Sequence, residues 1–496
     1  MVQRRSPIRQ SSALQEALAW LGAPPADDGQ DDLAPLRRHL GDVAASSVPI
    51  RQYPNILALF QTRAVLVSTS VKPMLLDASL PLPKQLRSVA QGLMDVHGEL
   101  AAGYLRTLRT SGPEQLRSLD PAPAALCEMG LANLAQAYEI ALLVSAAAPP
   151  RLWATALALR QLAQRHAGDG VTGAAETHLK VMLALAAAQP EGFSPREIGF
   201  LAAYLRTHGN ALELSSAAPV HVDADFWLDA TDESAPTASV RRPAPPTAVT
   251  HFSCTALSHG AYRHLSQLDQ GAGPEDLDLP QAAAQADYRD TLERAATHWA
   301  TPGKRETHRR RHGYRVQICT HVGALWRQLS AAAADAGEPE AELPASDWMI
   351  LNEGPGGYAI MHVSGITSGL VAGSAVGLRT TAEMPWHICI VRWARSDNPE
   401  HLELGLELLA AQAAAVRVVQ RNTGAAAAAL PALLLPPLPA LQRGEALLTT
   451  RGGIAPGPFA LIDETDGHIR IAECATAHAT LHTGSVEVFE FARQPG

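Results

Sequence analysis

The spacing of apolar residues changes once along this chain, near Lys304, and that change limits the folds open to it. Upstream, apolar residues recur every three or four positions. Leu86, Val89, Leu93, Val96, Leu100 and Tyr104 fall on one face of a helix. Leu131, Leu134, Tyr138 and Leu142 repeat the pattern. Around 153–162 and 179–185 the text is apolar on all sides, which predicts helices buried from several directions. Prolines 149, 150, 190 and 195 punctuate helical text that runs from about Leu14 to Ala217. No residue pattern returns at a fixed period, so 1–230 is expected to be an irregular helical region and not a solenoid.

Downstream of 304 the segments shorten and alternate. Tyr314–Thr320, Trp348–Asn352, Tyr358–Val363, Ala375–Arg379 and Trp386–Trp393 are bounded by Gly, Pro or Asp, which predicts strands. Ala324–Ala336 reads as one helix among them. Leu402–Val419 reads as a strand ending near Leu409, then a helix of Ala and Val. Ala446–Thr450, Phe459–Ile462, His468–Ala472 and Val486–Phe491 predict a small C-terminal β module over 441–496. Two Pro- and Ala-rich stretches, 231–250 and 421–440, read as linkers, and 251–302 as a helical connector. The fold class is therefore multidomain α + β.

Composition removes several functions. The net charge of −9 argues against a nucleic-acid polymer as partner, because such binding needs a basic surface. Cys127, Cys254, Cys319, Cys389 and Cys474 are scattered and never spaced C-x-x-C, which fits reduced thiols and no metal site. The longest uncharged apolar run, Ala425–Leu441, is short and broken by four prolines, so no membrane span is expected. With no secretory signal evident, a cytoplasmic location is expected. No nucleophile elbow, and no set of nucleophile, base and oxyanion donors, emerges, so the expectation is a protein that is not an enzyme. His478 and His482 lie in strand text, about 13 Å apart, too far for one metal. The acidic stretch Asp27–Asp32 reads as a solvated loop and Trp393 as core packing, while Arg392 beside it reads as either structural or functional, with structure favoured.

One basic site stands out. Lys304, Arg305, Arg309, Arg310, Arg311 and Arg315 fall within twelve residues and lead straight into a predicted strand. At the end of another predicted strand comes Asn352-Glu353-Gly354-Pro355-Gly356-Gly357. The strands Ile390-Val391-Arg392-Trp393 and Leu404-Gly405-Leu406-Glu407-Leu408 follow.

This order, R-x-x-x-R-V, then D/N-x-S-x-x-G, then V-x-W and G-x-E-hydrophobic, resembles the PilZ domain family over roughly Gly303 to Ala414. The resemblance implies a six-stranded antiparallel β-barrel with a helix, placed at 303–420, that binds cyclic di-GMP. Arg311 and Arg315 match the two arginines, Asn352 and Gly357 the ends of the second motif, and Gly354 stands at its serine position. Arg310 joins them as a candidate ligand-binding residue, while Arg309 is expected to add long-range attraction. A guanidinium fork fits both a phosphate and the N7/O6 edge of guanine. Gly354 removes a hydroxyl contact, Asn352 replaces a charged acceptor with a neutral one, and Pro355 restricts the loop. The implied function is a bacterial cyclic di-GMP receptor that converts binding into a new domain arrangement and a new protein partner contact, with no cofactor beyond the ligand. The alternative is a ligand-free scaffold or adaptor acting through protein contacts of its helical domain.

Overall fold

The computed structural model describes residues 7–166, 172–215, 225–229, 231, 233–245, 249–303, 309–330, 346–365, 367, 369–398, 401–420, 429–439, 443–455, 457–465 and 468–494. Lys304 and Arg305 of the basic cluster, and residues 421–428 and 440 of the expected 421–440 linker, lie outside them. The chain divides into two compact units, one of residues 1–78, 82–190 and 195–304, the other of 79–81, 191–194 and 305–496.

The first unit is mainly helical. Its helices are α1 (Pro7–Gly22), α2 (Leu33–Ala44), α3 (Tyr53–Leu76), α4 (Lys84–Thr110), α5 (Pro113–Arg117), α6 (Pro123–Leu143), α7 (Leu152–His166), α8 (Thr172–Ala187) and α9 (Pro195–His208), then α10 (Thr255–Asp269) and α11 (Ala286–Ala300). The stripe read on α4 is its buried face: Val89, Leu93, Val96, Leu100 and Tyr104 are buried and Leu86 half-buried. The acidic stretch is not simply solvated. Asp32 is buried, and its Oδ2 accepts from Arg63 Nη1 at 2.8 Å, while Asp28 Oδ1 accepts from the Gln30 amide at 2.9 Å.

A polar network pins three helices. Ser68 on α3, His97 on α4 and Asn133 on α6 are all buried. Asn133 Nδ2 donates to Met129 O at 2.8 Å, which turns its Oδ1 toward His97 Nδ1, also at 2.8 Å. His97 Nδ1–H therefore donates, and Nε2 accepts from Ser68 Oγ–H at 2.9 Å. This is the neutral ring, and burial lowers its pKa against the opposing hydrogen bond to Asn133.

The expected linker at 231–250 is partly sheet. Strands β1 (Glu213–Ser215), β2 (Asp225–Asp229), β3 (Thr237–Ala238) and β4 (Val249–Ser253) form an antiparallel sheet in the order β1-β4-β2-β3. Phe226 stacks on Phe252 at 5.2 Å, so apolar packing overrides the Pro- and Ala-rich composition around it. The helical region of 1–230 correspondingly ends in strand.

The second unit holds two barrels. The first is built from β5 (Arg310–Arg311), β6 (Arg315–Thr320), α12 (Val322–Leu329), β7 (Ser346–Gly354), β8 (Gly357–Ser364), β9 (Ala375–Arg379), β10 (His387–Asn398) and β11 (His401–Ala410). Antiparallel pairings run β7-β6-β9-β10-β11-β8 and close through β7–β8, giving six strands in a ring with β5 added beside β7. The expected helix 324–336 is α12, shorter and earlier, and 331–345 lie outside the described residues.

The second barrel corrects the reading of the C-terminus. Its strands are β12 (Ala414–Gln420), β13 (Leu430–Leu435), β14 (Ala446–Thr450), β15 (Pro458–Thr465), β16 (His468–His482) and β17 (Val486–Arg493), closed in the order β12-β13-β14-β17-β16-β15. The Ala- and Val-rich segment predicted as helix is β12: Val416 and Val418 are buried in this barrel's core with Phe459, Leu461 and Phe489. Pairing to β13 and β15 overrides its helix propensity. By pairing, β12 leaves the 303–420 segment and β13 leaves the 421–440 linker.

A third core lies between the barrels. Leu325 of α12, Ile388 and Ile390 of β10, Leu433 and Leu435 of β13, and Leu448 and Val488 pack as one buried cluster. Trp326 Nε1 donates to Val416 O at 2.7 Å.

Two outcomes follow from these contacts. The unfolded chain binds a proton at His97 near the ordinary pKa of about 6.5 while the folded chain resists it, so below that pH folding loses stability, by at most about 1.4 kcal/mol per pH unit from this residue. Denaturant titrations of wild type and His97→Gln at pH 7.5 and 5.5 should show a smaller acid loss in the variant. In the β7–β8 hairpin, Gly357 has φ +148°, and a Cβ there would sit 1.9 Å from Leu406 O on β11. Gly357→Ala should lower stability by about 1–3 kcal/mol or more in thermal melting. Gly356→Ala, with open space around it, should melt like wild type.

Candidate functional site

The β7–β8 turn, Gly354-Pro355-Gly356-Gly357, forms one end of the first barrel. Gly354 ends β7, Gly357 opens β8, and Gly356 O accepts from Leu408 N at 2.9 Å, which holds the turn against β11. The basic segment approaches the same end: Arg310 pairs with Glu353 and Arg311 with Asn352, backbone to backbone.

A cavity of about 370 Å³ opens beside this turn. Its wall includes the turn glycines Gly354, Gly356 and Gly357, three arginines (Arg309, Arg392, Arg443), Trp393 and Glu407. Arg392 and Trp393 are consecutive, and a regular strand would send them to opposite faces. The register between β10 and β11 slips here, with Val391 opposite Leu406 but Trp393 opposite Gly405. That bulge re-aims the strand and brings both side chains to the cavity. Gly405 makes room for the indole: a Cβ there would lie 1.8 Å from Trp393 Nε1. Trp393, expected in the core, is half-buried and lies across Gly405 in the wall.

Glu407 ties two of the arginines together. Its Oε2 accepts from Arg392 Nε at 2.5 Å and its Oε1 from Arg443 Nη2. Burial would raise the carboxyl's pKa, but Arg392 and then Arg443 outweigh it and hold the group below the usual range. Arg443 also donates from Nη1 to Leu408 O at 2.5 Å. Its own backbone is fixed by two hydrogen bonds with Leu438, at 2.9 and 3.2 Å. Three guanidiniums against one carboxylate leave the wall positive.

Neighbouring groups shape the approach. Arg309 Nη1 donates to Asn352 Oδ1 at 3.2 Å. Glu353 accepts from Tyr314 Oη at 2.6 Å and faces His312 Nε2 at 3.2 Å. Burial, then Glu353, pushes the Tyr314 phenol up, so it stays protonated and donating.

Of the residues singled out from sequence, Gly354 and Gly357 line the cavity and Asn352 is bonded to one of its arginines. Arg310, Arg311 and Arg315 do not line it. All three are exposed, and their guanidiniums have no hydrogen bond or ion pair among the described residues. Arg315 lies opposite Met349, three residues back along β7 from Asn352, or about 10 Å. Arg309, expected to act only at long range, takes the wall position. Arg392, Trp393 and Glu407 stand inside the strand motifs that carried the resemblance, but their roles depend on a bulge that spacing does not reveal. Arg443 had no sequence signal at all.

Known proteins match two stretches of the chain. Residues 281–415 match the family model described as the cyclic-di-GMP receptor FimW, middle PilZ domain, and residues 15–219 the model for that receptor's N-terminal domain. Over 162 residues the chain is 32% identical to the cyclic-di-GMP receptor FimW of Pseudomonas aeruginosa. This match covers 32% of the chain and 26% of the relative, so it spans about a quarter of that protein's length. Among the described residues no helix is long and apolar enough to cross a membrane. The first barrel thus lies in a segment that matches as a PilZ domain, and the helical region, in which the sequence reading found no family, matches as the N-terminal domain of the same kind of receptor.

Proposed function

We propose that this protein is a receptor for cyclic di-GMP that takes the ligand at the glycine-turn end of the first barrel. The observation that carries the reading is the grouping of Arg309, Arg392 and Arg443 with the Trp393 indole around one cavity. Guanidinium forks suit the ligand's two phosphates and the N7/O6 edges of its guanines, and an indole suits a purine face. The turn glycines let the ligand approach the backbone closely. Arg311 and Arg315, exposed beside the cavity in the R-x-x-x-R order, are the groups that close on the ligand from outside.

In this reading the protein acts by binding, and its output is a changed contact with a protein partner through the helical region. The outer face of α3 supports such a contact, with Leu59, Val65, Leu66 and Met74 exposed on one helix.

Calorimetry with cyclic di-GMP tests the claim. Wild type should give saturable heat, and Arg311→Ala combined with Arg315→Ala should bind at least tenfold more weakly, since each bidentate contact is worth about 1–3 kcal/mol. Equal heats in both proteins, or none in either, reject it.

A further inference from the structure

The cavity at the end of the first barrel is not made by that barrel alone. Arg443 precedes β14 of the second barrel, yet it lines the cavity with Arg309 and Arg392. Its guanidinium is set by Glu407 and Leu408 O, and its backbone by Leu438. A side chain fixed at both ends in this way is preorganised, so little rotamer freedom remains to be lost when an anion arrives. Arg392 is oriented by the same carboxylate through Nε, and its two terminal nitrogens have no partner among the described residues.

Resting on the receptor reading above, we propose that Arg443 is a phosphate-contacting residue of the ligand site. The second barrel is then part of the receptor rather than an appended module. Glu407 is a positioning residue: one carboxylate lets two guanidiniums share a small cavity without flying apart. The site spans two barrels already joined by a common apolar core through Leu325, Ile390, Leu435 and Val488. A ligand gripped from both sides stabilises that junction by its own binding free energy. A first barrel cut out on its own would lack this arginine.

The test is a cyclic di-GMP titration of the full chain in four variants beside wild type. Arg443→Ala should raise Kd five- to a hundredfold, in line with loss of about one bidentate contact. Arg443→Lys keeps the charge and stem but not the fork, and should fall between the two. Should Arg443→Ala fail to fold, the Lys variant decides alone. Arg493→Ala removes an equal charge from the same barrel, at an exposed ion pair with Glu445, and should bind within twofold of wild type. Glu407→Gln removes the charge that positions both guanidiniums but leaves the arginines themselves, and should weaken binding by less than Arg443→Ala does. If Arg443→Ala and Arg443→Lys bind like wild type, the proposal is overturned while the receptor reading stands. If Glu407→Gln weakens binding as much as Arg443→Ala, Arg443 serves only to order Glu407, and the proposal is again overturned. No binding by wild type overturns the receptor reading, and this proposal with it.

Discussion

The Glu407 carboxylate, held between Arg392 of one barrel and Arg443 of the other, is the interaction on which the candidate site depends. Two guanidiniums in one small cavity repel each other, and partial burial strengthens that repulsion. An ionised carboxylate between them reverses the sign. It remains ionised because the two arginines together lower its pKa more than burial raises it. Breaking such a pair from one side would leave a half-buried charge uncompensated, which is why both barrels must keep their places. The apolar core around α12 imposes the same constraint by packing: Leu325, Ile388 and Ile390 meet Leu433, Leu435 and Leu448, and neither barrel buries that face without the other.

The helices and the first barrel were legible in the sequence because each buries one face. On α4 every third or fourth residue is apolar, and on β6 the alternation of Val316 and Ile318 with Arg315 and Gln317 is plain. The second barrel was legible only in part. The segment 410–419 has just two buried valines after a run rich in alanine, and that alanine alone favours helix there. Pro431 argued against β13 as a strand, since proline cannot donate to a ladder. The register resolves this. At Pro431 the strand is paired with β12 alone, and its pairing with β14 begins only at Leu433, so the missing N–H interrupts no ladder bond to β14.

The site was legible to a lesser degree for a related reason. Motif spacing says which residues share a segment but not which of four neighbouring arginines turns inward. β5 is only two residues long, and Arg309, just before it, turns to Asn352 while Arg310 and Arg311 stay in solvent. The bulge that brings Arg392 and Trp393 to one wall depends on how β11 pairs, with Gly405 opposite the indole. Arg443 is more than a hundred residues from the basic cluster, and closure of two barrels alone brings it near.

The arginines around this end of the barrel therefore fall into two physical classes. Arg392 and Arg443 are already held, one by Glu407 and the other by Glu407 and a backbone carbonyl, so an anion that meets them gains contacts at small entropic cost. Arg310, Arg311 and Arg315 are exposed and unpaired among the described residues, and ordering each costs about 0.5–1.5 kcal/mol. The second class suits capture and the first suits grip. The chain's net charge of −9 does not cancel either, because at physiological salt charges beyond about 8 Å are screened while those in the cavity wall are not. An anion near the glycine turn responds to the guanidiniums beside it.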